Sequence, residues 1–125
     1  MAWREDAHIE KMRTGEKGIK GGVQKFTASG TLGRHQSGVD LDHASVAVDV
    51  VIDDAAKQQG LFLITNNSSG GTASHTVTLT NGTFNNTGNN KATLNAPAEA
   101  LLVYFDGNGG GQVILNVGTV ALSTV

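Results

Sequence analysis

The sequence predicts an all-β chain: an antiparallel β-sandwich of jelly-roll type with an extended N-terminal arm. Three observations predict it. First, residues 44–54 (ASVAVDVVIDD) place Val46, Val48, Val50 and Ile52 on one side of an extended chain. Successive Cβ atoms of a strand point to opposite faces, so β-branched residues at period two favour a half-buried strand over a helix. Second, short apolar or alternating runs recur down the chain between Asn/Gly clusters, and no long helical pattern separates them. That spacing disfavours a parallel α/β sheet and suits a two-sheet sandwich, with a small barrel as the other architecture. Third, the 125 residues include 17 Gly, one Pro and only 5% aromatics. Turns are therefore plentiful, and the core must come largely from Val, Leu, Ile and Ala. The length fits one domain.

Residues 1–21 form the predicted arm and residues 22–125 the sandwich domain. Nine of the first 20 residues are charged, against nine basic and eleven acidic residues in the whole chain. Gly15, Gly18, Gly21 and Gly22 follow closely. A helix over 2–12 has poor apolar spacing. A plain terminus with stray apolar residues fits this composition. The sharper reading is a docking arm whose Trp3, Ile9 and Met12 order on a partner.

The domain follows in order. Residues 22–29 can form a first strand with Gln24, Phe26 and Ala28 on one face, and 30–38 is a polar loop. Residues 39–43 suit a short edge segment, 44–54 the periodic strand, and 55–59 a linker with room for one helical turn before Gly60. The apolar run 61–65 (LFLIT) predicts a strand covered on both faces. Residues 66–74 are a loop by composition. Strands are expected at 75–80, 91–95, 100–106 and 112–117, with a last edge strand at 120–122. Asn81-Gly82 marks a tight turn, and Phe84 is placed to cap one end of the core. No strict repeat is visible, which argues against a solenoid.

Charge and composition exclude several function classes. The net charge of −2 provides no general basic field for nucleic acid. No apolar run reaches the roughly 18 residues of a membrane span. The first residues lack the apolar core of a secretory signal, so synthesis in a cytoplasm is expected. With no Cys, disulfides, thiol nucleophiles and Cys-ligated zinc are excluded.

The remaining candidates for chemistry each have a plainer reading. His8, His35, His43 and His75 show no metal-ligand spacing. Asp40, Asp42 and His43 lie near Asp53 and Asp54 in sequence and suggest acid–base or Ca²⁺ chemistry, yet solvated strand edges also carry such charges. Residues 106–111 (DGNGGG) start like a calcium loop but lack the later carboxylates, so a hairpin turn explains them better. A polar face of Thr76, Thr78, Thr80, Asn85 and Asn86 could hold glycans or simply meet solvent. No catalytic set can be named, and the expectation is of no catalytic residue, metal or cofactor.

Several motifs resemble a known family. Leu41-Asp42-His43-Ala44 precedes the alternating strand; residues 75–80 (HTVTLT) are followed by Gly82-Thr83-Phe84; residues 92–97 (ATLNAP) lead to Glu99-Ala100-Leu101; and residues 116–123 (NVGTVALS) close the chain. Together, over about 39–123, they are similar to head decoration (cement) proteins of tailed bacteriophages, small β-sandwich virion proteins. The arm is not part of the resemblance. The resemblance implies a non-enzymatic protein on the outer capsid surface, a homotrimer that clamps major capsid protein subunits, without nucleic acid or membrane partners. In that setting Trp3, Ile9 and Met12 are the expected anchors of the capsid-binding arm, with Arg4, Lys11 and Arg13 pairing to acidic capsid surface. The alternative is a receptor- or glycan-binding module of a tail or head fibre.

Overall fold

A computed structural model describes residues 22–125. The arm at 1–21, with Trp3, Arg4, Ile9, Lys11, Met12 and Arg13, lies outside the described residues. In chain order the strands are β1 (Val23–Phe26), β2 (Gly30–Thr31), β3 (Gly38–Leu41), β4 (Asp49–Ile52), β5 (Gln59–Asn66), β6 (His75–Leu79), β7 (Thr83–Phe84), β8 (Lys91–Leu94), β9 (Ala100–Asp106), β10 (Gly110–Val117) and β11 (Ala121–Ser123). One 3-10 turn, Ala55–Lys57, joins β4 to β5. The six-stranded sheet has the order β1-β3-β5-β9-β10-β7, and the five-stranded sheet β11-β8-β6-β4-β2.

The all-β class is as the period-two pattern predicts, but the sheets are mixed. Five strand pairings are parallel and four antiparallel. This corrects the antiparallel expectation, and the strand order is not that of the expected jelly roll. From β1 to β6 the chain changes sheet at every connection, and each strand from β3 on lies parallel to the strand two before it. The N-terminal half is thus a coil of arches, a winding that the lack of a sequence repeat argued against. Only β9 and β10 are sequence neighbours within one sheet. Asn81, at φ 55°, does take the left-handed turn conformation, but its turn carries the chain from one sheet to the other instead of closing a hairpin.

The core lies between the sheets. Val39, Leu41, Phe62, Ile64, Leu101, Val103 and Phe105 face inward from the larger sheet; Val50, Ile52, Val77, Leu79, Ala92 and Leu94 face them from the smaller. Alternate residues of each strand fill this layer, as a face-to-face sandwich requires. Phe62 and Phe105 meet edge to face, ring centroids 5.5 Å apart at 89°, the geometry that aromatic quadrupoles favour. Phe84 is fully buried, as expected of a residue that closes the core.

Two sequence expectations fail for local reasons. Val46 does not share the buried face of Val48, Val50 and Ile52: it is 59% exposed. The Nδ1 of His43 accepts the backbone N–H groups of Ser45 and Val46 at 3.2 and 3.0 Å, which turns the chain there and delays the strand to Asp49. The run 61–65 is not covered on both faces either, since Leu61 is 61% exposed.

Candidate interaction surface

The outer face of the six-stranded sheet is the most distinctive surface. Directly paired residues point to the same side of a sheet, so the register defines its rows. One row runs Val23, Gly38, Leu63, Leu102, Leu115 across five strands. The next holds Leu61, Tyr104 and Gln112. Tyr104 is 45% exposed and Leu115 54%. Neither row carries a charge. Charge appears only in the flanking rows: Lys25, Asp40, Thr65, Ala100 and Val117 on one side, Gln59 and Asp106 on the other.

That face continues onto an open strand edge. β7 pairs with β10 only at Gly110 and Gly111, and among the described residues no strand covers the same edge beyond them. The register of β10 against β9 shifts between Val113 and Leu115. This bulge inserts Ile114, 56% exposed, at the border of the apolar face. The amide of Val113 is satisfied by Asn85 Oδ1 at 2.8 Å.

At the start of β6, in the smaller sheet, sits a buried polar cluster that the sequence did not bring together. His75, at the start of β6, points inward and is fully buried. Its Nδ1 accepts the N–H of Val48 at 3.0 Å. An amide can only donate, so Nδ1 carries no proton and Nε2 does. Nε2 then donates to the carbonyl oxygen of His43 at 2.9 Å, with Ser68 Oγ also near at 3.1 Å. The Ser68 hydroxyl accepts from the His43 N–H at 3.1 Å and donates to Asn66 Oδ1 at 2.7 Å. The cluster ties the 43–48 segment to the loop after β5. Gly71 fits there at φ 83° because a Cβ would lie 1.7 Å from the Ala44 carbonyl oxygen.

A Ser–His pair invites a catalytic reading, and the hydrogen bonds rule it out. A general base needs a free lone pair on the nitrogen facing the serine. Here that nitrogen holds the proton, and the lone pair on the other is taken by Val48. Ser68 should therefore stay unlabelled by a fluorophosphonate, as read by intact mass. Ser68→Ala should cost about 1–2 kcal/mol in a urea melt, the worth of its lost hydrogen bonds.

The other sequence candidates disperse. Asp42 pairs with Lys25 at 3.0 Å, whose ammonium is held above its usual range by that hydrogen bond and charge. Asp40 accepts from Thr65 Oγ1 at 3.3 Å. Asp54, left-handed at φ 61°, lies 3.7 Å from Lys57 and accepts from Asn81 Nδ2 at 3.4 Å. Among the described residues no three His, Asp or Glu side chains converge as a metal site. Asp106 Oδ1 accepts the N–H groups of Asn108 and Gly110 at 2.7 and 3.0 Å, which hold its carboxyl below the usual range. Its loop is the β9–β10 hairpin turn.

Thr76 and Thr78 do lie on the outer face of the smaller sheet, with Thr93 and Lys91 opposite them on β8. Thr76 Oγ1 donates to Asp49 Oδ1 at 2.6 Å. Asn85 and Asn86 follow β7 of the other sheet, so the expected Thr/Asn face is not one surface. An open groove of about 680 Å³ lies along 31–37, with Arg34, Asp53, Asp54 and Lys57 in its walls. Among the described residues every buried side-chain polar atom already has a partner, and no helix is long and apolar enough to cross a membrane. Compared with protein-family models, curated proteins and solved structures, the chain matches none.

Proposed function

We propose that this chain is a non-enzymatic capsid decoration protein. It binds the outer surface of a bacteriophage head as a homotrimer and stabilises contacts between major capsid protein subunits. Synthesis is in the host cytoplasm and the working location is the virion. One structural observation carries the reading: among the described residues, the outer face of the six-stranded sheet is apolar at its centre with charge only in its flanking rows, a layout suited to a protein partner. The polar groups beneath are spent on the fold itself. The motif resemblance over about 39–123 supplies the setting.

The division of labour follows from the sequence. The sandwich is the platform, and the arm at 1–21 is the clamp, anchored by Trp3, Ile9 and Met12 and steered by Arg4, Lys11 and Arg13. Three arms on one body raise the effective concentration of each, so weak single contacts become firm attachment. A protein bridging capsid subunits adds interface area where pressure from packaged DNA would part them.

The alternative, a receptor- or glycan-binding module, has less support. Sugar rings stack on exposed aromatics; among the described residues the four Phe are buried and the one Tyr lies on the apolar face of the six-stranded sheet, away from Thr76 and Thr78. The test is co-sedimentation of the full chain with undecorated heads of its own phage. Saturable binding is expected, lost in the Trp3→Ala, Ile9→Ala, Met12→Ala triple variant. A chain that leaves such heads bare overturns the decoration reading; a variant that still coats them overturns the role of the arm.

A further inference from the structure

We infer that a second copy of this chain covers the outer face of the six-stranded sheet and the open edge of β10. The first argument is the composition of the strands. Strands buried on both faces read as continuous apolar runs, and β5 and β9 read that way through LFLI and LLVYF. Their inner residues pack in the core, whereas Leu61 and Tyr104 on the other side meet solvent. The residues are those of a covered sheet, and within one chain nothing described covers it.

The second argument is the edge. Soluble proteins protect exposed edges with Lys, Pro, inward charges or an overlying loop. The stretch Gln112–Val117 contains no charge and no Pro, and it presents Ile114, Leu115 and Val117 to solvent, 45–56% exposed. Such an edge pairs indiscriminately when left bare, so its cover must be present whenever the chain is folded. A partner met only on a finished shell arrives too late, whereas another copy of the chain is always at hand.

The third argument is shape and size. An apolar centre with charge confined to the rim is the layout of an interface core. Five strands at about 4.8 Å spacing and a strand length near 20 Å give a flat footprint of roughly 400 Å². That footprint takes in the flanking rows, and the projecting side chains raise its accessible area toward the ~800 Å² per partner of a stable interface.

The inference rests on the proposed function only in taking the decorating body to be oligomeric, and its test is separate from head binding. With no native Cys, one engineered thiol is unique. Leu115→Cys and Val51→Cys place it on the outer faces of the two sheets, at sites 54% and 37% exposed in the single chain. The full-length chain should run in light scattering as a multiple of its 12.9 kDa mass. A maleimide should label Leu115→Cys about tenfold or more slower than Val51→Cys until urea is added, because only opening of the assembly exposes it. The Leu61→Lys, Leu115→Lys double variant should fall to monomer mass while keeping its β-sheet circular dichroism. A monomeric wild type, or equal labelling of the two thiols, overturns the inference. If the lysine variant does not fold, the labelling ratio still decides. A monomer that coats heads defeats this inference and the homotrimer while leaving the decoration role standing, and an oligomer that ignores heads defeats the decoration role alone.

Discussion

Replacing His75 with leucine should destabilise the fold by about 3 kcal/mol, although leucine is an ordinary residue for a fully buried strand position. The cost comes from the partners left behind. The Val48 N–H loses its acceptor outright. The Ser68 hydroxyl has one proton and two acceptors in reach, Asn66 Oδ1 at 2.7 Å and the His43 carbonyl at 3.0 Å. With Nε2 gone it can serve only one of them, so one hydrogen bond is lost, although Asn66 Oδ1 keeps the Ser68 N–H at 3.2 Å. Each buried group without a partner costs about 1–3 kcal/mol. Two further variants apportion the loss. His75→Asn sets an amide oxygen near the Nδ1 position and should restore the Val48 bond, while His75→Gln reaches toward the Nε2 position and should restore the bond to His43. Each should recover part of the urea midpoint. If His75→Leu melts with the wild type, the cluster is not what ties the 43–48 segment down.

Glu99→Gln should cost on the order of 3 kcal/mol at neutral pH, and the difference from wild type should shrink as pH falls. Glu99 is 3% exposed, just before β9. Burial pushes its carboxyl up, but hydrogen bonds from the backbone of Thr119, Ala96 and Asn95 and from the Thr119 hydroxyl outweigh that and hold it below the usual carboxylate range. One oxygen takes Asn95 and Ala96 at 2.7 and 3.0 Å; the other takes the Thr119 N–H and Oγ1 at 3.0 and 3.1 Å. An amide keeps one acceptor oxygen and turns an NH₂ group on the other pair of donors. Because the folded carboxyl releases its proton more readily than the unfolded one, the unfolded chain binds more protons in acid. The carboxylate's contribution is therefore complete above the ordinary carboxylate range and is lost as pH falls through the folded value. Urea melts of the two proteins from pH 7 to pH 3 should converge in acid. A constant gap would show that the effect is steric.

Glu99 shows how far the residues can be read. As a lone carboxylate before an apolar run, it looks like a surface charge. Its value comes from two separate segments, 95–96 and 118–119, which the fold delivers to one point. Gly118 allows the second approach: at φ 82° it brings the chain so near that a Cβ would sit 2.8 Å from Glu99 Cγ. His75 is similar. The alternation with Val77 and Leu79 was legible, so its inward direction was too. Its partners at 43, 48 and 68 were not, since hydrogen bonds across 27 and 32 residues leave no local mark. The apolar sheet face was half legible: LFLIT announced a strand meant for cover on both sides, and the structure shows which side the described residues leave bare.

The sequence by itself determined that this chain is built of short strands, where most of them lie, and for most of them which residues face inward, Val46 and Leu61 being exceptions. Those features depend on period-two alternation and on turn residues, which act within a few positions. Tertiary structure alone decided which strands are neighbours. An Asn/Gly turn can return the chain beside its last strand or arch it across to the opposite sheet, with the same residues and nearly the same local energy. The choice between hairpin and arch is made by burial summed over the whole core. Here it sends every connection but β9–β10 across, making the sheets mixed where local pattern suggested antiparallel ones, and setting Leu61, Tyr104 and Leu115 side by side on one open face.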